Sequence, residues 1–380
     1  MSALKNKTIA FDGKKALNNL TGIGNYSRFI INTLSQRNPD TRLMVYAPKA
    51  GNKKAMSCIT DRENINIVLP TSLKRIFKEW WRCHGIVSDI KKSNVSLFHG
   101  LSNEIPFGIN KCGIPVLVTV HDLIFLRYPK TFGFLSRNIL KIKVKYACKH
   151  ADKIITISEQ TKKDLLYYYN IKEDKVRIIM QGCAEQFYQI ISEQERNNIR
   201  IKYNLPEEYV LTVGTIEERK NHKTIIKAIS RLNGVHLVIV SKKTHFQSEL
   251  EKLIDELNVS DRVHIINGVT NQDLPAVYQS AKLCVYYSFY EGFGIPVLEG
   301  MASRIPVLAA SGSCLEEVGG DACLYSSPFD VESLTDNMSK VLTDEKLRSD
   351  MVEKGIHRTK MFSTEEILGQ IEACYEEMLE

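Results

Sequence analysis

The sequence predicts an α/β protein made of two Rossmann-like, doubly wound domains facing each other across a cleft. Short β-branched apolar runs alternate with helix-length segments along almost the whole chain, the pattern of parallel sheets with crossover helices. The alternation pauses once, in the polar stretch 184–206, and then restarts. The 380 residues are enough to bury two hydrophobic cores.

In the first half, residues 8–11, 42–46, 65–69, 95–99, 116–120, 153–157 and 176–180 read as strands. Most lack polar alternation, as expected of strands covered on both faces. Helical stretches at 25–36, 73–90, 135–150 and 159–169 lie between them, which implies right-handed crossovers. The second half repeats the scheme with strands at 209–213, 236–240, 263–266, 283–287, 306–309 and 322–325. Its helices include 223–232, 247–257, 274–280, 295–302 and 331–343. The predicted division is 1–185 and 186–362. Residues 363–380 open with Ser-Thr-Glu-Glu, a helix-capping signal, and are expected as a terminal helix.

Composition narrows the function classes. Hydrophobic and charged fractions of 43% and 25% are those of a soluble globular protein. No apolar run approaches the roughly 18–20 residues of a membrane span, and residues 1–10 lack the apolar core of a secretory signal. The expected location is the cytoplasm, or the cytosolic face of the inner membrane. Nine cysteines are scattered without zinc spacing, so neither a disulfide framework nor a metal site is expected. The net charge of +7 is concentrated: residues 74–92 hold six basic and two acidic side chains, and residues 127–153 hold eight and one. Such segments suit anionic lipid or lipid-linked phosphate, or are solvated faces. No nucleic-acid module accompanies them, so nucleic acid is not an expected partner. The stretch Leu73-Lys-Arg-Ile-Phe-Lys-Glu-Trp-Trp-Arg82 fits an interfacial segment or a core helix with a basic outer face.

In open parallel sheets, ligands sit beyond the carboxyl ends of the strands, and the unusual residues fall there. Ser288-Phe-Tyr-Glu-Gly-Phe-Gly-Ile-Pro-Val-Leu-Glu299 runs from a strand through a Gly-rich loop into a helix. Gly292 and Gly294 let the backbone approach a ligand. The amides of Phe293, Gly294 and Ile295 suit a phosphate. Glu291 on the loop and Glu299 on the helix are placed to grip two ends of one ligand, Glu299 by accepting from ribose hydroxyls. A Gly-rich turn with two unrelated glutamates is the plainer alternative. Val213-Gly-Thr-Ile-Glu-Glu-Arg-Lys-Asn221 follows the first strand of the second domain. Arg219 and Lys220 are expected to aim their charges at a diphosphate; a solvated loop capped by Asn221 is the alternative.

In the first domain, Thr21-Gly-Ile-Gly-Asn-Tyr-Ser27 lacks the third glycine of a dinucleotide fingerprint. It suits the approach of a phosphate or acceptor group. His99 and His121 end two strands, and each is either a cleft residue or a satisfied core histidine. His121 is a candidate donor to a sugar hydroxyl, with Asp122 to orient it. No carboxylate pair stands near His121 as glycosidase chemistry needs, and no Asp-x-Asp pair follows a strand to hold a divalent cation.

Taken in order, Gly22-Ile-Gly24, His121-Asp122, Ile157-Ser158, Gly214 to Arg219-Lys220-Asn221, and Glu291 to Glu299 resemble glycosyltransferase family 4, retaining enzymes of the GT-B fold. Asp273-Leu-Pro-Ala-Val-Tyr278, after Asn267-Gly268-Val269, resembles the family's nucleobase-side segment. The resemblance spans nearly the whole chain. It implies an acceptor-binding first domain, a nucleotide-sugar-binding second domain and a terminal helix that returns to the first. Arg219 and Lys220 would contact the diphosphate and Glu299 the ribose. Gly268 and Val269 would border the base. Glu291 and the 293–295 amides would face the donor sugar and phosphates. Gly22, Ile23, Gly24, His99, His121 and Asp122 would line the acceptor and sugar side. Many relatives carry Arg where this chain has Thr215, which leaves the diphosphate to Arg219 and Lys220. The Gly-Thr-Ile-Glu-Glu-Arg-Lys-Asn and Val-His-Asp-Leu-Ile-Phe-Leu strings look most like bacterial mannosyltransferases of O-antigen and capsule assembly. The implied donor is GDP-mannose, used without cofactor or metal, and the implied acceptor a growing, lipid-linked glycan. A GT-B sugar-nucleotide 2-epimerase and a non-catalytic nucleotide-sugar- or glycan-binding protein are the other readings.

Overall fold

A computed structural model describes residues 4–71 and 76–380. Residues 73–75 of the basic, aromatic stretch lie outside the described residues. The chain forms two units, residues 1–181 with 364–380, and residues 182–363.

The sheet of the first unit is built from β1 (Thr8–Asp12), β2 (Arg42–Tyr46), β3 (Ile65–Val68), β4 (Leu97–Gly100), β5 (Val116–Val120), β6 (Lys153–Thr156) and β7 (Val176–Ile178). Its order is β3-β2-β1-β4-β5-β6-β7, all parallel. The second unit has β8 (Val210–Val213), β9 (Leu237–Ser241), β10 (Val263–Asn267), β11 (Leu283–Tyr286), β12 (Val307–Ala310) and β13 (Cys323–Ser326). Its order is β10-β9-β8-β11-β12-β13, again parallel. In both sheets the order reverses between the first and fourth strands. These are the switch points where such sheets bind ligands. The central strands are apolar and β-branched because both faces are covered: every residue of β5 and of β9 is buried.

The helix expected over 73–90 runs through Lys78–Lys92 in its described part, with a π-turn at Trp81–Gly85 inside it. The wide turn lets the consecutive residues Trp81 and Arg82 both face inward, each under 5% exposed. The polar stretch 184–206 contains the helix Glu193–Lys202. Ser192 caps it by accepting from the Glu195 amide at 3.2 Å. Only Ile199 of that helix is buried, so its apolar periodicity is too thin to announce it.

The last helix, Thr364–Leu379, packs in the first unit. Asn38 Nδ2 donates to its Glu372 at 2.5 Å, and its Tyr375 is fully buried, with its hydroxyl 2.7 Å from His99 Nδ1.

Candidate active site

A cluster of charged and polar side chains in the second unit stands at the switch point, beyond β8 and β11. After β8 the chain turns through Gly214, the exposed Thr215 and a short turn at Glu218–Lys220. Asn221 locks that turn from a left-handed backbone (φ 56°). Its side-chain amide donates to the carbonyls of Tyr287 (3.2 Å) and Pro328 (2.7 Å). The loop carrying Arg219 and Lys220 is thereby fixed to the loop after β11.

Three donors converge on one carboxylate oxygen, Glu291 Oε1: Arg219 at 2.8 Å, Lys220 Nζ at 2.7 Å and the Tyr286 hydroxyl at 2.9 Å. Lys220 also donates to the Tyr286 hydroxyl and lies 5.0 Å over that ring. Burial alone would raise the Glu291 pKa, but the two cations hold it at about 2. Arg219 further donates to the Tyr290 carbonyl (2.6 Å) and to Glu217 (2.5 Å). Arg219 as a whole is 8% exposed, with its guanidinium turned into this network. These contacts tie Arg219 to Glu291 and to the backbone of the loop after β11. Lys220 has two hydrogen-bond partners among the described residues and three donors, so one N–H remains for an incoming anion.

The amides of Phe293, Gly294 and Ile295 have no acceptor among the described residues, and Ile295 opens the helix Ile295–Ala302. A short row of donors at a positive helix end is an anion site by construction. Gly294 is required there: its φ is +121°, and a Cβ would lie 2.6 Å from Leu315 Cδ2. The Cys314 thiol lies 3.1 and 3.0 Å from the carbonyls of Glu291 and Phe293 and steadies the loop. The Phe293 ring itself turns inward, edge-on to Phe362 at 6.0 Å; only its backbone belongs to the site. Gly292 completes the loop.

Glu299, on the Ile295–Ala302 helix, accepts from the Tyr278 hydroxyl at 2.9 Å. Desolvation pushes its carboxyl up to about 7, against the pull of that hydrogen bond. Gly268 follows β10 with φ +86° and open space around it, and Val269 beside it is half-buried. Asp273 is pinned by Lys202, Tyr203 and Thr270 at 2.6–2.8 Å, which fixes this segment.

The first unit presents a smaller arrangement. Gly22, Ile23 and Gly24 are not a loop but the first turn of the helix Gly22–Arg37. A Cβ on Gly24 would fall 1.9 Å from the Asn19 carbonyl oxygen, whereas Gly22 has nothing within 4 Å. Gly24→Ala is therefore expected to destabilise by about 3 kcal/mol, and Gly22→Ala to be neutral in a urea melt. Activity lost in Gly22→Ala alone would identify Gly22 as a substrate contact.

His121 is buried, with its Nε2 2.9 Å from the Leu101 carbonyl and Tyr26 edge-on at 4.8 Å. That contact makes Nε2 the protonated nitrogen and Nδ1 an acceptor. Burial holds its pKa at about 4, so the ring is neutral at pH 7. Asp122 Oδ1 accepts from the Ile124 amide at 3.1 Å, and the Leu101 carbonyl orients the His121 ring. His99 is corrected from a site residue to a core residue. It is fully buried, and its nitrogens meet Tyr375 (2.7 Å) and Thr119 (2.8 Å).

One charged network was missed in the sequence. Arg82, 4% exposed, joins Asp12 (2.6 Å) to Glu104 (2.7 Å), and Lys143 joins Glu104 (2.9 Å). Asp12 ends β1 and Glu104 follows β4, so the network lies at the switch point of the first sheet. An acidic residue directly at a strand end was the available signal.

Both units match known family models. That of Glycosyltransferase Family 4 matches residues 20–185, and that of Glycosyl transferases group 1 matches residues 193–358. O-antigen chain mannosyltransferase B of Escherichia coli is 26% identical over 285 residues, 73% of this chain and 74% of that one. Serotype-specific mannosyltransferase WbdA of Escherichia coli is 30% identical over 286 residues, 71% of this chain but 34% of that protein. The chain thus spans about a third of WbdA. A glycosyltransferase from Rickettsia africae ESF-5 shares the fold over 99% of both chains, with a TM-score of 0.77 at 18% identity. The two Rossmann-like units and their matches define a glycosyltransferase of the GT-B fold. The chain belongs to glycosyltransferase family 4.

Proposed function

We propose that this protein is a retaining, metal-independent mannosyltransferase. It takes mannose from GDP-mannose and adds it to a growing, lipid-linked surface glycan. The arrangement that carries the proposal is Lys220, held by Glu291 and Tyr286, beside the 293–295 amides and within one helix of Glu299. A leaving diphosphate gains negative charge as its bond to the sugar breaks. A lysine and helix-end amides stabilise that charge where it develops, the task a divalent cation performs in other transferases. The names of the relatives support mannose.

Transfer is proposed to be front-face. The acceptor oxygen bonds to the sugar C1 as the C1–diphosphate bond breaks. The acceptor proton passes to a diphosphate oxygen on the same face. His121, neutral and with Nδ1 as acceptor, takes a hydrogen bond from a sugar hydroxyl. A glycosyl-enzyme adduct detected by mass spectrometry would overturn the front-face route.

The test is a panel of nucleotide sugars read by thermal shift and by product analysis. GDP-mannose is expected to raise the melting temperature most, and EDTA to leave turnover unchanged. Conversion of the free donor to an isomer would replace the transferase with an epimerase. Strong metal dependence would remove the metal-free mechanism.

Glu299 adds a pH signature. A carboxyl with its pKa raised to about 7 accepts ribose hydroxyls with both oxygens, and more strongly, only once ionised. Donor affinity is therefore expected to rise about tenfold from pH 6 to pH 8, and Glu299→Gln to abolish the trend. In the unliganded protein the sign is opposite. Folding stability falls as the pH climbs from about 4.5 to about 7, because the unfolded chain releases this proton first.

A further inference from the structure

The helix Phe134–His150 contains no acidic residue and exposes much of its apolar surface. Phe134 and Leu135 are over 70% exposed, and Ile142 and Ile139 are 62% and 45% exposed. With 3.6 residues per turn, Leu135, Ile139 and Ile142 fall within roughly 60° of one another on the outer face. Lys141, Lys145 and Lys149 form an adjacent exposed stripe. None of these three has an ion-pair partner among the described residues. The inner face, with Val144, Ala147 and Cys148, packs on the core. The outward face is therefore itself amphipathic: an apolar stripe bordered by lysines.

A second exposed apolar group is tied to this helix. Ile76, Phe77 and Trp80 are 71%, 65% and 61% exposed. Trp80 stacks on His84, His84 on Phe107, and Phe107 meets Tyr146 of the helix, with ring centroids 5.7, 5.1 and 4.5 Å apart. Beyond the helix end, Lys149, Lys153, Lys172 and Lys175 line a shallow concave surface, with Asp152 and Asp174 beside them.

We propose that the outer face of the Phe134–His150 helix, with Ile76, Phe77 and Trp80, is the surface by which this protein lies on an anionic lipid bilayer. Isolated apolar side chains on a surface need no explanation, but a contiguous patch of large ones does. Leu, Ile, Phe and Trp enter the headgroup–acyl boundary while lysines meet lipid phosphates. A second copy of this chain would be repelled by the same lysines, so charge complementarity favours lipid. The proposal extends the lipid-linked acceptor to a place on the molecule and does not rest on the identity of the donor.

Cosedimentation with phosphatidylglycerol/phosphatidylcholine vesicles at low salt tests it, with phosphatidylcholine vesicles alone as the control. The wild type is expected to pellet with the anionic vesicles only. Binding is expected to fall about tenfold or more in the triple variant Leu135→Ser/Ile139→Ser/Ile142→Ser and in Lys141→Glu/Lys145→Glu/Lys149→Glu. Unchanged circular dichroism and an unchanged melting temperature would show that both variants are folded. A wild type that stays in the supernatant, or binds both vesicle types equally, overturns the proposal. So does a dimer seen by light scattering that the serine variant dissociates.

Discussion

Lys220→Ala is expected to lower turnover by about 10²- to 10³-fold, the usual loss when one donor to a developing negative charge is removed. KM for the donor is expected to change less, because the charge that Lys220 meets is larger in the transition state than in the bound sugar nucleotide. The fold should survive. Without Lys220, Glu291 still has Arg219 at 2.8 Å and Tyr286 at 2.9 Å. Steady-state kinetics beside a urea melt separates the two effects. A variant with wild-type turnover would remove Lys220 from the mechanism.

Glu291→Ala is expected to be worse for stability, by about 3–5 kcal/mol. It leaves Arg219 and Lys220 side by side, one 8% exposed, with no carboxylate between them. Activity should fall as well, because Lys220 loses the partner that aims it. The pH dependence gives an independent readout. A carboxyl held at about 2 instead of about 4.5 contributes stability that is present above pH 4.5 and lost as the pH falls toward 2. The contribution is about 3 kcal/mol at neutral pH. Glu291→Gln is expected to lack this acid limb in melts taken between pH 2 and pH 6. A melt with the same acid profile as the wild type would show that the ion pairs are weaker in solution than the geometry implies.

The sheets were legible because strands covered on both faces have to be continuous apolar runs. β2 and β5 fall on the residues read from sequence. The helix Glu193–Lys202 was hidden because one buried side chain does not make a period. The Gly294 loop and Glu299 were visible because a strand, a glycine loop and a helix start occur in immediate succession. Their partners were not. Tyr278 and Tyr286 read as ordinary core aromatics, and only the folded chain places their hydroxyls against Glu299 and Glu291. His99 misled for the opposite reason. A histidine at a strand end looks available until Tyr375, 276 positions later, is seen against it.

The contact between His99 and Tyr375 has a consequence for synthesis. The first unit is interrupted after Gln181 and resumes only at Thr364. While the chain emerges from the ribosome, its leading half waits with His99 Nδ1 unpartnered until residues 364–380 arrive. The later-made unit can close first, and the earlier-made one is sealed last. A fragment ending at Gln181 is accordingly a poor choice for isolating that half. A version carrying residues 364–380 on a flexible tether is expected to melt cooperatively where the fragment ending at Gln181 does not.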